Sequence, residues 1–231
     1  LDCAGLRWGG ITDNAATTYI RSMAVQRWRL TPGYLNYIAF SHFPRYDVRD
    51  SKGWSTTVKD NCWQLFEYSY NNYKLPAWFV DANGKMSNPN DPWSTPGKRW
   101  DAGAARVAWR VACRALTSDD PYAKKWAERF VEVFKAGGAD ENILKVSGAY
   151  DPITGKSLNW GAEPITMTGA GANAMAIGEQ KMADEAYDFL AKWRIGSNSR
   201  MRDAFCVIGL ATMTGLFTTT ADVGDLDISI P

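Results

Sequence analysis

The sequence contains a single histidine, His42, among its 231 residues. One histidine excludes a zinc site built from histidines and argues against a Ser-His-Asp triad or a Cys-His dyad. The four cysteines form no Cys-x-x-Cys pair, so zinc-ribbon and thioredoxin-like sites are excluded as well. Cys62, Cys113 and Cys206 fall in apolar helical stretches, which is typical of small core residues. Acid–base chemistry near neutral pH must therefore use carboxylates, of which there are 25, and we expect no metal or cofactor.

Neither sign of charge is in excess, because 26 Lys and Arg residues face 25 Asp and Glu residues. A nucleic-acid-binding protein usually carries a basic excess or stripe, so no nucleic-acid partner is expected. The longest apolar run, from Ala204 to Phe217, has 14 residues. A bilayer requires about 20, so no membrane partner is expected either. Because the first residue is Leu1 rather than Met, we expect a processed, trimmed or partial chain.

Apolar residues recur at helical spacing along most of the chain, and no convincing run with the two-residue period of a strand occurs apart from the short alternation of Leu226, Ile228 and Ile230 near the end. Asp120 as N-cap and Pro121 at the first position predict a helix that Gly137 ends. Comparable patterns predict helices near residues 12–30, 32–43, 55–72, 101–116, 164–178, 181–193 and 199–214. The predicted fold class is all-α, with helices in pairs. We expect one helical domain over residues 1–217 and an extended tail or linker over 218–231.

Tryptophan is abundant, with eleven residues, and several lie in two long connections at 74–99 and 148–160. Long ordered loops between helices are usually functional. Flat aromatic rings beside Asp are the expected lining of a sugar-binding cleft, since a ring can cover the apolar face of a pyranose. We expect both connections to meet at one end of a helical barrel. The candidate substrate-binding residues are Trp78, Trp100, Tyr37, Asp81 and Trp8, with Trp78 and Trp100 facing a groove.

The segment from Arg99 to Arg110 places a carboxylate, Asp101, at the start of a predicted helix. Arg106 and Arg110 follow four residues apart and share one helix face. The helix dipole and a nearby arginine would keep Asp101 ionised, as a general base or nucleophile requires.

This segment, WDAGAARVAWRVA, resembles the aromatic-Asp-Ala-x-Arg-Val-Pro-Trp-Arg signature of glycoside hydrolase family 8. Four more segments are similar to the motifs of that family, in the same order. TPGYLNYIAF resembles its Asn-Pro-Ser-Tyr-Phe-x-Pro segment, and LPAWFVDANG its Leu-x-Pro-Asp-Trp loop. GAYDPITG is similar to its Tyr-Asp-x-x-Gly stretch, and RDAFCVIGLATMTGLF to its closing helix. The resemblance spans roughly residues 30 to 217.

The resemblance implies an (α/α)6 barrel and an inverting hydrolase of a β-1,4-linked polysaccharide, secreted or periplasmic. By resemblance, Asp101 would be the general base, Arg106 the partner of its carboxylate, and Tyr34 would help to hold the attacking water. The first substrate expected is cellulose-type β-glucan, which would make the protein an endoglucanase. Xylan and chitosan are the alternatives within the family. A non-catalytic carbohydrate-binding relative and a polysaccharide lyase on another α/α toroid stay open.

The sequence departs from the family pattern in three ways. The Asp-to-Arg spacing is two residues longer, so Gly103 takes the base position if Arg106 is aligned without a gap. We expect the excess to be absorbed before the helix begins. The motif proline is Ala108. The Ser-Glu-Gly-Gln-Gly-Tyr segment of the family's general acid does not occur, nor does the Asp-Ala-Asp segment that follows it. We therefore expect the C-terminal three-fifths of a catalytic module, an incomplete barrel whose partner is the missing N-terminal portion.

Overall fold

The structure is a computed structural model that describes residues 33, 67–78, 80, 85–86, 99–196 and 199–216. Residues 67–72 are helical. Five complete α-helices and one 3-10 helix follow: α1 (Ala102–Thr117), α2 (Pro121–Ala136), the 3-10 helix (Ile143–Lys145), α3 (Pro164–Ile177), α4 (Gln180–Ala191) and α5 (Arg200–Met213). Within the described residues, β pairing is limited to three isolated bridges. The predicted all-α class is confirmed.

Helices α1 and α2 begin and end within one or two residues of the predicted positions. Asp120 caps α2, since its carboxylate accepts hydrogen bonds from the backbone N–H groups of Tyr122 and Ala123 at 3.0 and 3.4 Å. The apolar residues that recur at helical spacing in the two helices are buried, among them Val107 and Val111 of α1 and Trp126 and Phe130 of α2. The helix predictions at 12–30 and 32–43, most of 55–72 and the tail at 218–231 lie outside the described residues, apart from Gly33.

Helix α3 is the centre of the described part, because it contacts all four of the other helices. Its first eleven residues, Pro164 to Ala174, are all buried. They include two glycines, which allow close approach of the neighbours: a β-carbon on Gly169 would lie 2.7 Å from the Cβ of Ala108 in α1. Small residues thus set the spacing between α1 and α3.

The contacts of α5 show that α1, α3 and α5 run parallel. From α1, Arg106 donates to the sulfur of Met201 at 3.1 Å, and Trp109 donates to Thr212 at 3.0 Å. From α3, Thr168 donates to the carbonyl of Phe205, and Gly171 lies against Met213. In α1 and in α3, residues later in the helix contact residues later in α5. The N-termini of all three helices therefore lie at the same end.

Helices α2 and α4 run in the opposite direction, because connections of only three and two residues join them to α1 and α3. The described part is thus a row of parallel helices backed by antiparallel ones, as in an α/α barrel. Cys113 in α1 and Cys206 in α5 are buried free thiols, as the apolar pattern predicted. No described helix combines the length and the apolar character needed to cross a membrane.

The two long connections meet at the N-terminal end of α1, as predicted, in the parts that the structure describes. The backbone N–H groups of Lys74 and Leu75 donate to the carbonyl of Pro152 at 2.9 and 3.0 Å. Trp100 and Tyr150 exchange two backbone hydrogen bonds, at 2.8 and 2.9 Å. These bonds fix the 148–160 connection directly beside Asp101.

Candidate active site

Asp101 is the residue before the first turn of α1, with extended backbone angles. The residue is only 5% exposed, and its side chain forms no capping hydrogen bond. Its Oδ1 atom is buried and has no hydrogen-bond partner among the described residues. An N-cap aspartate normally binds the free N–H groups of its own helix. One carboxylate oxygen of Asp101 is therefore left without a hydrogen bond from the described residues, which lowers the stability of the folded state.

Arg99 is the guanidinium that faces Asp101, at 3.5 Å between Nε and Oδ2. The prediction that Arg106 pairs with this carboxylate was wrong. Position 106 is five residues further along the helix and so points about 140° away. Arg106 instead donates to the sulfur of Met201.

Burial raises the pKa of the Asp101 carboxyl above its ordinary value, while the Arg99 charge and the backbone N–H of Gly103 lower it. The Gly103 N–H faces the carboxylate without completing a capping hydrogen bond. Burial thus acts against the helix start and the arginine that were predicted to keep Asp101 ionised, and the net effect on the pKa is upward.

Glu163 takes the same position on α3 that Asp101 takes on α1, and it was not among the predicted site residues. It is 8% exposed and likewise forms no side-chain cap. Its Oε2 accepts a hydrogen bond from Nε of Arg202 at 3.1 Å, and Nη2 of the same guanidinium lies 3.1 Å from that oxygen in an ion pair. The signal in the sequence was an acid immediately before Pro164 at a helix start, which matches the placement of Asp101.

Burial raises the pKa of the Glu163 carboxyl, the Arg202 charge lowers it, and the charge of Asp101 raises it. The two carboxylates are thus within electrostatic reach of each other. They lie at the positive ends of parallel helices, with Arg202 in the first turn of α5. At this end of the helices, burial disfavours the charged carboxylates, while the helix ends and the two arginines favour them.

Gly103 lies under the indole of Trp78. A β-carbon at Gly103 would overlap Cε2, Cζ2 and Nε1 of that ring, and the backbone at Gly33 lies against the Gly103 carbonyl on the other side. A carboxylate could not be placed at position 103 without moving Trp78. Because α1 begins at Ala102, the acidic residue available at this end of the helix is Asp101.

Trp100 does not face a groove, and its prediction as a substrate-binding residue was wrong. It is 0% exposed and lies among Phe130, Phe134 and Tyr150, with ring centroids 5.8 to 5.9 Å apart. Two aromatic residues of α2 and one of the 148–160 connection enclose it. A ring enclosed in this way cannot stack on a sugar.

The other predicted site residues are less fully described. Trp78 is partly buried and packs against the core, so it lies at the edge of the site. Tyr34, Tyr37, Asp81 and Trp8 lie outside the described residues. The structure adds Trp160, an exposed ring beside Arg99, which the sequence analysis did not include among the site residues.

No cluster of three or more potential metal-ligating side chains occurs within the residues that the structure describes. A cavity of about 440 Å³ lies between the 3-10 helix and α4. It includes neither Asp101 nor Glu163 in its lining, which is Ile143, Leu144, Glu185, Asp188, Phe189, Lys192, Trp193 and Arg194. The two buried carboxylates therefore lie outside this cavity.

No protein-family model and no curated protein matches the sequence. Solved structures do match. A β-1,3-1,4-glucanase from Paenibacillus sp. X4 has a TM-score of 0.71 at 16% identity, over 90% of this chain and 59% of that one. A cold-adapted family 8 xylanase has a TM-score of 0.65 at 16% identity, over 93% and 60%. A family 8 glycoside hydrolase from Teredinibacter turnerae, in complex with xylobiose, has a TM-score of 0.68 at 14% identity, over 83% and 47%.

The chain therefore has the fold of the family 8 (α/α)6 barrel enzymes over part of their length, as predicted. It spans at most 60% of the length of these three structures.

Proposed function

We propose that the chain is part of the catalytic module of an inverting glycoside hydrolase that cleaves a β-linked polysaccharide, with Asp101 as its general base. One observation carries this proposal: Asp101 is a buried carboxylate with an unpartnered oxygen at the N-terminal end of α1. The likeness of the fold to family 8 enzymes supports it. Since polysaccharides of this kind lie outside cells, we also propose a secreted or periplasmic location.

In an inverting reaction, the base takes a proton from a water molecule that attacks the anomeric carbon. The unpartnered Oδ1 of Asp101 is suited to accept that hydrogen bond. Arg99 holds Oδ2 and stabilises the charged form that a base needs. The general acid must stand about 6.5–9.5 Å from the base, so that the water fits between them.

Glu163 is poorly suited to be that acid. Nε–H of Arg202 donates to its Oε2, and Nη2 lies 3.1 Å from the same oxygen, so the ion pair opposes the burial that raises the pKa of this carboxyl and ties up the oxygen that would carry the proton. We therefore keep the expectation that the acid lies in a portion outside this chain, which is the partner that completes the site.

The substrate that we propose first is a cellulose-type β-glucan, with xylan and chitosan as alternatives. The similar structures are described as xylanases and a β-1,3-1,4-glucanase, so xylan and mixed-linkage glucan belong in the same test. A net charge of +1 gives no support for an acidic cleft that would favour cationic chitosan.

A second candidate function is carbohydrate binding without cleavage. The observation that favours it is Gly103, which occupies the base position in the ungapped alignment and lies under Trp78. If Asp101 cannot reach the water, the chain keeps an aromatic cleft and no base.

The deciding experiment measures the release of reducing ends by the complete gene product from carboxymethyl-cellulose, mixed-linkage β-glucan, xylan and chitosan. Hydrolysis by the wild type, abolished in Asp101→Asn, is the expected result. Binding without release would support the second candidate, and unsaturated ultraviolet-absorbing products would indicate a lyase. The 231-residue chain alone is expected to be inactive, and hydrolysis by it would overturn the assignment of the acid.

A further inference from the structure

Trp160 is the largest aromatic residue left in solvent within the described part of the chain, with 46% of its surface exposed. Tryptophan is usually buried on most of its area, since its large ring gains free energy on leaving water. A ring that stays exposed at the end of a helical barrel calls for a binding partner.

The backbone of Trp160 is rigidly held. Ser147 Oγ accepts a hydrogen bond from the Trp160 N–H and donates one to its carbonyl, both at 3.1 Å. Asn159, immediately before it, has a φ of 59°, in the left-handed region that few side chains adopt. These contacts fix the backbone that carries the ring before any ligand arrives, which lowers the entropy cost of binding.

One face of the indole is already occupied. The guanidinium of Arg99 lies 5.0 Å from the ring centroid, and the same guanidinium lies 3.5 Å from the carboxylate of Asp101. The exposed area of Trp160 therefore belongs to the opposite face and the ring edges. Arg99 therefore lies between the indole and the candidate base, so the free face of Trp160 is near the site but is separated from Asp101 by the guanidinium.

We propose that Trp160 is a sugar-stacking residue of the site, on whose free face a pyranose ring of the polysaccharide packs. The inference rests on the proposed function. The apolar C–H face of the sugar would cover the indole.

The test compares Trp160→Ala, Trp160→Phe and Ile153→Ala in the complete gene product. Ile153 is a matched control, since it is an apolar residue of the same connection that is 55% exposed. Calorimetric titration with xylohexaose and cellohexaose should give about tenfold weaker affinity for Trp160→Ala, as for a central aromatic contact. Trp160→Phe keeps a flat ring and should retain most of the affinity, and Ile153→Ala should bind like the wild type.

Kinetics separate stacking from an effect through Arg99 on Asp101. A stacking role raises KM about tenfold, leaves the acidic limb of the pH profile of kcat in place, and leaves Tm unchanged. A shifted limb or a lowered kcat with unchanged KM would overturn the inference, as would unaltered affinity in Trp160→Ala. If the wild type neither binds nor cleaves any of these glycans, the proposed function itself fails and this inference fails with it.

Discussion

Asp101 and Glu163 occupy the same position on neighbouring parallel helices, one residue before the first turn, and neither side chain caps its helix. Asp120 stands at the corresponding position of α2 and does cap it, with two hydrogen bonds to backbone N–H groups. The chain thus contains both kinds of N-terminal carboxylate. In Asp120 the charge stabilises a helix, and in Asp101 it is kept available at the cost of burial.

Replacement of Asp101 by Asn should abolish turnover in the complete protein without lowering Tm at neutral pH. The amide removes a buried charge and no capping hydrogen bond. The matched variant Asp120→Ala should behave in the opposite way, losing about 1 kcal/mol of stability with its cap and keeping its specific activity. Thermal unfolding and reducing-end release check both, and near-normal turnover in Asp101→Asn would show that the base lies elsewhere.

Glu163→Gln should gain stability relative to the wild type as the pH rises. The fold raises the pKa of Glu163 from 4.5, chiefly through burial. The folded protein therefore keeps this proton to higher pH than the unfolded chain, and the associated stability is lost as the pH rises through the folded pKa. Gln does not titrate and lacks this loss. The break in the Arg202 ion pair lowers Tm at every pH but leaves the sign of the trend.

The measurement is the difference in Tm between variant and wild type from about pH 4 to about pH 7, where the linkage acts. Glu141→Gln is the control of opposite sign, because Lys145 lowers the pKa of Glu141. Its relative Tm should fall, if it changes, over the same interval. A relative Tm of Glu163→Gln that stays flat or falls would contradict the prediction.

Gly103→Ala should destabilise the protein by about 1–3 kcal/mol, because the added methyl group overlaps the Trp78 ring. Gly161→Ala is the control, since nothing lies within 4 Å of its added β-carbon. That change should stay within about 0.5 kcal/mol. Denaturant unfolding measures both, and equal midpoints would mean that Trp78 does not lie on Gly103.

Trp100→Ala should cost roughly 3–5 kcal/mol, as the loss of a fully buried aromatic residue does. Trp160→Ala removes the same side chain from an exposed position and should change stability by no more than about 0.5 kcal/mol. If both tryptophans faced a groove, the two substitutions would change the stability of the protein by similar amounts. Because Trp100 is buried, we expect its replacement to cost much more. A small loss for Trp100→Ala would restore it as a candidate for sugar contact.

Much of this could be predicted from the sequence because its causes are local. The spacing of apolar residues and the caps at Asp120 and Gly137 placed α2 almost to the residue. The placement of Asp101 at the start of a helix follows from the same kind of signal. Neighbours in sequence determine these features, so a single chain suffices to find them.

The errors arise where distant segments meet. Trp100 stands between charged residues and looked exposed, yet Phe130, Phe134 and Tyr150 enclose it from positions 30 to 50 residues away. The arginine that forms an ion pair with Asp101 is determined by the direction in which each nearby arginine side chain points. The relation of Glu163 to Asp101 becomes visible only when α1 and α3 are known to be parallel neighbours, and no local sequence pattern gives that arrangement.

Gly169 has a consequence for the chemistry that its own position would not suggest. It lies six residues after Glu163, about 9 Å down the helix axis, where its hydrogen faces Ala108 of α1. The lateral distance between the two acidic groups therefore depends on how closely α1 and α3 pack at Gly169. A single methyl group there would push the helix axes apart, and the electrostatic repulsion between Asp101 and Glu163 would weaken with no change in any residue that touches a substrate.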